Sequence, residues 1–145
     1  MGELYIQECL TVDVDLELLA ALNKQLIEDE QHDNKMNLDE LKDRMKTFLR
    51  TDYKAYFFKE REEIKGYALV NHNRQPIYLR QFFICRDSRR GGYGKLAFQK
   101  LKELLNTDEI DIEVMHWNDR GYSFWKTMGF KERSIYLRLD KNEEL

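Results

Sequence analysis

The first fifty residues contain one short apolar stretch and two segments in which apolar residues recur at helical spacing. The stretch from Leu4 to Leu10 predicts a strand. The first helical segment can be capped by Asp13 or Asp15, and its apolar positions are Leu16, Leu19, Leu22 and Leu26. The second begins at Asn37 or Asp39, and its apolar positions are Leu38, Leu41, Met45, Phe48 and Leu49. A strand followed by two amphipathic helices is therefore predicted.

The pattern then changes to aromatic and β-branched runs. Residues 55–58 and 64–70 form two such runs separated by charged residues, which predicts a hairpin. Pro76 follows a polar turn and precedes a third run over residues 77–84. Three consecutive antiparallel strands are therefore predicted.

The last third of the chain returns to alternating element types. A helix is predicted with one apolar face made of Leu96, Ala97, Leu101, Leu104 and Leu105, ending at residues 106–108. Residues 110–114 alternate like a half-buried strand, a short helix covers about 120–128 and stops at Gly129, and a last strand covers about 134–139. The order β-α-α-β-β-β-α-β-α-β predicts an α/β fold, a mixed, largely antiparallel sheet flanked by helices.

Length and composition exclude several classes of protein. A chain of 145 residues fits one domain, 1–145. Its composition, with 42% hydrophobic and 35% charged residues, excludes a disordered chain. A net charge of -3 argues against nucleic-acid binding. The apolar runs are too short for a membrane span, and the first residues show no export signal, so we expect a cytoplasmic protein. Cys9 and Cys85 lack the spacing of metal ligands, so no metal site is expected. Both cysteines are expected to be free thiols.

The most informative segment is the glycine-rich loop, defined as residues 89–95, between a strand and a helix. Its residues are Arg89, Arg90, Gly91, Gly92, Tyr93, Gly94 and Lys95. Glycines let the backbone approach a ligand, and a helix N-terminus offers unpaired N–H groups and partial positive charge. The two arginines add charge-assisted donors suited to a diphosphate. The loop is therefore a candidate phosphate site, with a flexible basic turn as the alternative.

Two other phosphate motifs overlap this loop and are rejected. Residues 92–97 also fit the dinucleotide fingerprint G-x-G-x-x-A, with Asp111 about twenty residues further on. In a dinucleotide fold the glycines follow a strand directly, whereas polar residues 85–90 intervene here and too little chain follows. No glycine-lysine-Ser/Thr triplet supports a P-loop.

Two blocks of this sequence resemble the GNAT superfamily of N-acetyltransferases. Arg89, Gly92 and Gly94 fill the family's acetyl-CoA signature Gln/Arg-x-x-Gly-x-Gly/Ala. The second block follows the family's spacing and consists of Ile112, Val114, Asn118, Gly121, Phe124, Trp125, Gly129 and Phe130. The predicted element order is also that of the family, so the resemblance extends over essentially the whole chain.

The resemblance implies acetyl-CoA as cosubstrate and an amine as acceptor. It implies that the backbone of Phe83 and Ile84 pairs with the pantetheine arm between the fourth and fifth strands. It further implies that the amides of residues 89–95 hold the pyrophosphate and that Asn118 flanks the thioester end.

Acetyl transfer to an amine requires a neutral nucleophile, so a base is needed. An amine with a pKa of about 10.4 is neutral in roughly one molecule in a thousand or fewer at pH 7. Glu113 and His116 are the candidates, acting through water. Each also has a plain structural interpretation, Glu113 as the solvent-facing residue of an alternating strand and His116 as a surface or packing histidine.

The family's usual general acid is a tyrosine, and its position is occupied by Trp125. An indole has no proton to give near neutral pH, although its N–H can still hydrogen-bond the sulfur or the carbonyl. Because a thiolate is a tolerable leaving group, activity could survive without the acid. Tyr122, three residues earlier on the predicted helix, is the candidate replacement, with a packing role as the alternative.

Three functions follow from these observations. The leading hypothesis is direct transfer from acetyl-CoA to a primary amine of a small molecule or protein, in a ternary complex. The alternative is a non-catalytic acyl-CoA-binding module, which Trp125 keeps open, and a nucleotide-dependent oxidoreductase rests on G-x-G-x-x-A alone. The acidic run 28–33 would favour a cationic amine, or it is a solvated loop. Edge strands and exposed aromatics could support a homodimer, which no sequence feature decides.

Overall fold

The computed structural model describes residues 3–141, with the backbone alone at Arg90. The elements are β1 Leu4–Glu8, α1 Asp13–Asp29, α2 Leu38–Leu49, β2 Tyr53–Glu60, β3 Glu63–Asn71, β4 Ile77–Ile84, a 3-10 turn Arg86–Gly91, α3 Tyr93–Leu105, β5 Ile110–Asp111 and α4 Asp119–Thr127. Backbone contacts divide the chain after Met115 into two compact units, which are described separately. The single domain expected over 1–145 stays a prediction.

Within residues 3–141, five strands form one sheet in the order β1-β2-β3-β4-β5. The pairs among β1 to β4 are antiparallel, and β5 runs parallel to β4. The hairpin and the third antiparallel strand predicted from the aromatic runs are both present. The mixed, largely antiparallel α/β sheet expected from the sequence is therefore confirmed.

The core lies between the sheet and the first two helices. Its residues come from α1, α2, β2, β3 and β4 and include Leu16, Leu19, Met45, Phe57, Tyr67, Leu69 and Phe83. Since successive strand residues point to opposite faces, Phe82 lies on the other side of β4, where its ring is 6.3 Å from that of Phe98 on α3. Helices α1 and α2 thus cover one face of the sheet and α3 covers the other.

Four helix ends were predicted with named capping or terminating residues, and the structure has three of them as predicted. Asn37 begins α2 with a capping box, accepting from Glu40 N–H at 2.9 Å while the Glu40 carboxylate accepts from Asn37 N–H at 3.0 Å. Asn106 ends α3 with φ at +52°, and Gly129 follows α4 with φ at +101°. In α1 neither Asp13 nor Asp15 caps, because the helix already starts at Asp13 and the Asp15 carboxylate accepts from Leu10 N–H at 2.8 Å.

Three predicted features differ from the structure. The buried face of α3 consists of Ala97, Phe98 and Leu101, while Leu96 and Leu104 are 42% and 49% exposed. The predicted strand 110–114 shrinks to Ile110 and Asp111, since these two residues alone pair with β4. The last predicted strand, 134–139, is not a strand in the described part of the chain. Its alternating apolar side chains are exposed. An alternating pattern in one segment does not show whether a neighbouring strand is there to pair with it.

Gly66 fixes how closely β3 approaches the end of β4. A Cβ added at Gly66 would lie 2.0 Å from the carbonyl oxygen of Phe83 and 3.1 Å from Cα of Ile84. No side chain fits between these two backbones. Gly66 therefore positions the segment of β4 that leads into the glycine-rich loop.

Candidate functional site

The glycine-rich loop presents backbone N–H groups at the start of α3. Its first three residues lie in the 3-10 turn Arg86–Gly91, and Gly92 adopts φ +76°, a conformation that favours glycine. The first α-helical hydrogen bond runs from Leu96 N–H to Gly92 O at 3.2 Å, and no side chain of residues 3–141 caps this end. An added Cβ at Gly92 would meet nothing within 4 Å. The helix end is thus open to a ligand at the position predicted for the pyrophosphate.

A buried carboxylate holds the arginines of this segment. Asp29, at the end of α1, has a side chain only 5% exposed and forms ion pairs with both Arg86 and Arg89. Burial raises the pKa of Asp29, but the hydrogen bonds and charges of the two arginines outweigh it and lower that pKa below its usual 3.8. The turn before α3 is therefore tied to α1 by a charged contact that the sequence did not predict.

Arg89 also reaches the end of β4. Its Nε donates to the carbonyl oxygen of Ile84 at 2.7 Å, and its Cζ lies 5.3 Å from the centre of the Phe83 ring. The side chain of Arg89 thus has partners on both α1 and β4. It braces the loop, while the backbone of residues 92–95 remains the part suited to phosphate.

The backbone of Ile84 faces away from β3. Cys85 N–H donates to Lys65 O at 2.8 Å, and hydrogen-bonding directions alternate along a strand, so the groups of Ile84 point to the other side. The carbonyl oxygen of Phe83, by contrast, lies against Gly66 on β3. The predicted pairing of Phe83 and Ile84 with a pantetheine arm stays a prediction, and this geometry favours Ile84 over Phe83.

Tyr93 anchors the other end of the loop. Its hydroxyl donates to the Glu60 carboxylate at 2.5 Å, and Lys65 Nζ lies 5.6 Å from the centre of its ring. The hydrogen bond to Glu60 is the main cause of a raised Tyr93 pKa. Tyr93 therefore fastens the start of α3 to the hairpin of β2 and β3.

Strands β4 and β5 pair at only two positions and then separate. Ile77 and Tyr78 pair with Ile110 and Asp111, whereas β4 continues to Ile84. The candidate base Glu113 is exposed, two residues beyond β5. Burial raises the pKa of Tyr78, and the charge of Glu113 raises it further. Glu113 therefore lies within electrostatic range of Tyr78, where the two strands begin to diverge.

In the second unit, the predicted ligand Asn118 caps α4. Its side-chain oxygen accepts from Gly121 N–H at 3.0 Å. A Cβ at Gly121 would lie 2.5 Å from Nδ2 of Asn118, so a glycine leaves room for this cap. Asn118 thus has a structural role at the helix start, and its contact with the thioester stays a prediction.

Trp125 belongs to a Schellman motif at the end of α4. Phe130 N–H donates to Trp125 O at 3.0 Å and Gly129 N–H donates to Lys126 O at 3.1 Å, the paired bonds of that motif. The rings of Trp125 and Phe130 are 5.2 Å apart and nearly perpendicular, which supplies the apolar contact that accompanies it. The indole therefore stabilises the helix end.

The other candidates of this unit are accessible side chains. His116 is exposed, and Tyr122 is 45% exposed. Lys126 is the main cause of a lowered Glu132 pKa, and the Tyr122 hydroxyl lies close enough to lower that pKa slightly further. Tyr122 thus lies near a carboxylate of its own unit. The catalytic roles of His116 and Tyr122 stay predictions.

A cleft of about 360 Å³ lies at the opposite end of the hairpin from the glycine-rich loop. Glu8, Cys9, Asp52, Lys54 and His72 are among its lining residues. His72 Nε2 is 2.8 Å from the Tyr56 hydroxyl, so this histidine has a hydrogen-bond partner at the edge of the cleft. Within residues 3–141 no group of three His, Cys, Asp or Glu could hold a metal ion, and no helix is long and apolar enough to cross a bilayer.

Sequence reasoning missed four side chains that lie outside the cleft and belong to α1, α2 and β4. They are Asp29, which pairs with Arg86 and Arg89, Tyr78 at the end of the β4–β5 pairing, and Arg44 and Arg80, which both lie against the Phe48 ring. One signal was visible, because Arg80 and Gln81 interrupt an otherwise apolar strand. The partners of Asp29 are 57 and 60 residues away along the chain, a separation that no local pattern reveals.

Comparisons with known proteins bear on the family and the fold of this chain. Residues 17–130 match the model of the acetyltransferase (GNAT) family. A possible acetyltransferase from Clostridium difficile 630 is 15% identical with a TM-score of 0.75, covering 97% of this chain and 99% of its own. An aminoglycoside N-acetyltransferase in complex with CoA is 17% identical with a TM-score of 0.72, covering 98% and 97%.

A predicted acetyltransferase from Clostridium acetobutylicum, solved with acetyl-CoA, is 16% identical with a TM-score of 0.71, covering 95% and 96%. These identities show a shared fold alone. Among curated proteins, none matches the sequence. The family match covers residues 17–130, which include β2 to β5, the glycine-rich loop and α4, and this chain therefore belongs to the acetyltransferase (GNAT) family.

Proposed function

We propose that this protein transfers an acetyl group from acetyl-CoA to a primary amine. The observation that carries the proposal is the open N-terminus of α3 behind Gly92, braced by Arg89 and Tyr93 and adjoining the end of β4. Solved relatives of the same fold hold CoA or acetyl-CoA, which supports acetyl-CoA as the cosubstrate. The pyrophosphate binds the N–H groups of residues 92–95, and the pantetheine arm lies along Ile84.

The reaction is a direct displacement in a ternary complex. The amine nitrogen attacks the carbonyl carbon of the thioester, the new C–N bond forms, and the C–S bond breaks to release CoA thiolate. Glu113 takes the proton of the amine through water, and the thiolate is protonated by Tyr122 or by solvent. Trp125 contributes packing in this scheme, because its indole cannot act as an acid near neutral pH.

A mass-spectrometric screen for acetylated product tests the proposal. The panel contains acetyl-CoA with polyamines, amino sugars, amino acids and lysine peptides, and thermal stabilisation by acetyl-CoA serves as the binding measurement. A product that depends on the protein supports transfer. Binding without any product supports the alternative, an acyl-CoA-binding module, which the packing role of Trp125 favours. Stabilisation by NAD rather than acetyl-CoA would contradict both.

A charge reversal locates the phosphate site. Lys95 is exposed in the first turn of α3, so Lys95→Glu places a carboxylate beside the bound phosphates while suiting the helix dipole. We expect the Kd for acetyl-CoA to rise tenfold or more with little change in melting temperature. Gln99→Glu, exposed one turn later on the same helix, is the matched control and leaves the Kd within twofold. Equal effects of the two changes would remove the pyrophosphate from this helix end.

A further inference from the structure

Two arginines meet at one aromatic ring on the face of the sheet covered by α1 and α2. The Cζ atoms of Arg44 and Arg80 lie 5.2 Å and 5.0 Å from the centre of the Phe48 ring. Arg80 Nη1 also donates to the Tyr53 hydroxyl at 3.2 Å. Arg44 and Arg80, the arginine pair, thus place two positive charges close together on this face.

No carboxylate within residues 3–141 forms an ion pair with either member of the arginine pair. The contrast with Arg86 and Arg89 is direct, since both of those have Asp29. Burial lowers the pKa of Arg44, and the charge of Arg80 lowers it further. The two positive charges beside one ring repel each other, and one of them is half-buried. A bound anion would offset this repulsion.

A β-bulge puts Arg80 on this face. Leu69 pairs with Gln81 and Val70 with Leu79, so Arg80 is the extra residue of β4. In a regular strand Arg80 and Gln81 would point to opposite faces. Here Gln81 accepts from the Tyr67 hydroxyl at 2.7 Å while Arg80 contacts Phe48 of α2, both on the α1 and α2 side. Bulges of this kind re-aim side chains beside functional sites.

Polar groups continue inward from the arginine pair. The Tyr67 hydroxyl, fully buried, contacts Gln81, and the amide of Asn23 lies close enough to affect the Tyr67 pKa. Asn23 is 1% exposed, yet neither polar atom of its side chain has a hydrogen-bond partner of good geometry in the described structure. An unsatisfied amide near the Tyr67 hydroxyl is unusual in an otherwise apolar core, and it leaves hydrogen-bonding capacity unused there.

We propose that the arginine pair binds a carboxylate or phosphate group of the acetyl acceptor, so that the substrate is an amine that also carries an oxyanion. This inference rests on the proposed function and names the substrate class of that site. Guanidinium groups match carboxylate and phosphate oxygens with paired charge-assisted hydrogen bonds. Purely cationic amines, which the acidic run 28–33 is expected to favour, would be repelled here, and Asp29 of that run is already bound to Arg86 and Arg89.

The pair lies where an acceptor would need to be held. Arg80 is two residues beyond Tyr78, the last residue of β4 that pairs with β5. The charges of Arg80 and of the candidate base Glu113 both act on the Tyr78 hydroxyl. An oxyanion bound by the pair would therefore place the amine of a small acceptor at the opening between β4 and β5, within reach of that base.

Matched acceptors test the inference. Amino acids are compared with their carboxamides for the carboxylate, and glucosamine 6-phosphate with glucosamine for the phosphate. We expect the acidic member of at least one kind of pair to have a kcat/KM at least tenfold higher, mainly through a lower KM. The type of pair that shows this preference tells whether the site binds a carboxylate or a phosphate. Equal values within both kinds of pair, or a preference for the uncharged members, would overturn the inference while leaving acetyl transfer established.

Variants assign that preference to the arginines. Arg80→Gln and Arg44→Gln should each reduce the ratio of acidic to uncharged acceptor at least fivefold, and Arg80→Lys should restore part of it. Arg50→Gln, exposed at the end of α2, is the matched control and should leave the ratio unchanged. Because the ratio compares two substrates of one preparation, a folding defect that lowers both rates does not mimic the effect. An unchanged ratio in both variants would exclude the pair.

A binding measurement keeps the two proposals separable. If acetyl-CoA binds but no amine is acetylated, the proposed transfer is wrong. The acidic members of each pair are then titrated calorimetrically into the protein with CoA present. Saturable binding that Arg80→Gln weakens at least fivefold supports an oxyanion site without transfer, whereas no binding to the unaltered protein overturns the site as well.

Discussion

Asp29 is the residue on which the geometry of the glycine-rich loop most depends. Its carboxylate is 5% exposed and serves two arginines that come from the turn before α3. A buried charge of this kind is costly to disturb, because removing one partner leaves the others desolvated and unpaired. The contact joins segments that are about sixty residues apart along the chain.

Asp29→Asn should therefore destabilise the protein. We expect the free energy of unfolding at pH 7 to fall by about 1–3 kcal/mol, since a charge-assisted contact becomes a neutral one. The pKa of Asp29 is lowered in the folded state, so its contribution is complete above its usual 3.8 and is lost as the pH falls through the lowered value. The difference between the two proteins should accordingly disappear in strong acid. Urea unfolding at several pH values measures it.

Asp13→Asn is the control for this prediction. Asp13 also pairs with a cation, Lys42 at 3.3 Å, but its side chain is 86% exposed. Solvent screens such a pair, and a loss below about 0.5 kcal/mol is expected. If both substitutions cost the same, burial is not what gives the Asp29 contact its strength.

At the scale of elements, α4 depends on how it ends. Trp125 supplies both a carbonyl and a ring to the Schellman motif, and Phe130 supplies the partner of each. The family tyrosine at this position would bring a hydroxyl, whereas the indole brings a larger ring. The motif accounts for the residue present without any role in proton transfer.

Substitution of Trp125 separates packing from chemistry. Trp125→Phe keeps a ring against Phe130 and removes the indole N–H, so we expect kcat to stay within about threefold if transfer occurs. Trp125→Ala should cost about 1–2 kcal/mol of stability by removing the aromatic contact. It should also speed hydrogen exchange at the amides of Gly129 and Phe130. A loss of hundredfold or more in kcat for a well-folded Trp125→Phe would instead mean that the indole N–H hydrogen-bonds the reacting group, since losing one such donor costs about 10²- to 10³-fold.

Most elements could be predicted because their signals are local. The apolar spacing of α1 and α2, the capping asparagine of α2 and the glycine after α4 depend on residues within a few positions of one another. The strand 134–139 could not be judged this way, because alternation describes one strand and pairing needs two. The shortening of β5 to Ile110 and Asp111 has the same origin, since it is decided by where β4 and β5 diverge.

The site was predictable in its backbone and less so in its side chains. Three glycines in seven residues before a helix indicated where N–H groups would be open. The positions of Asp29, Arg44 and Arg80 depend on packing between distant segments and, for Arg80, on a bulge set by pairing with β3. Open backbone N–H groups could therefore be located from sequence, whereas the proposed acceptor site needed the fold.

At the scale of the whole molecule, buried acids that are neutral when folded make it sensitive to alkali. Burial, with smaller contributions from Asp15 and Glu8, raises the pKa of Cys9 from 9.0 to about 12. Burial, with Glu8, raises the pKa of Tyr56 from 10.0 to about 12. The pKa values of Cys85, Tyr67 and Tyr78 are raised as well, with burial as the main cause. Near neutral pH these groups stay protonated, so Cys9 should resist alkylation until the chain unfolds.

The direction of the pH effect follows from these raised pKa values. A group whose folded pKa exceeds its unfolded value holds its proton more tightly when folded, so its contribution is complete below the unfolded pKa and is lost as the pH rises. The contribution of these raised-pKa groups to the free energy of unfolding should thus be constant up to about pH 9 and fall between pH 9 and 12. A tenfold difference in proton affinity corresponds to about 1.4 kcal/mol, so the raised pKa of Cys9 can contribute at most about 4 kcal/mol.

Cys9→Ala tests the largest of these contributions. The variant starts from a lower free energy of unfolding at pH 7, because a buried side chain is reduced in size. Its decline above pH 9 should nevertheless be shallower than that of the unaltered protein, since one titrating group has gone. Tyr136→Phe, at a residue 77% exposed, should leave the slope unchanged. Parallel declines for Cys9→Ala and the unaltered protein would mean that the Cys9 thiol ionises equally readily in both states, and alkaline unfolding would then have to come from the buried tyrosines.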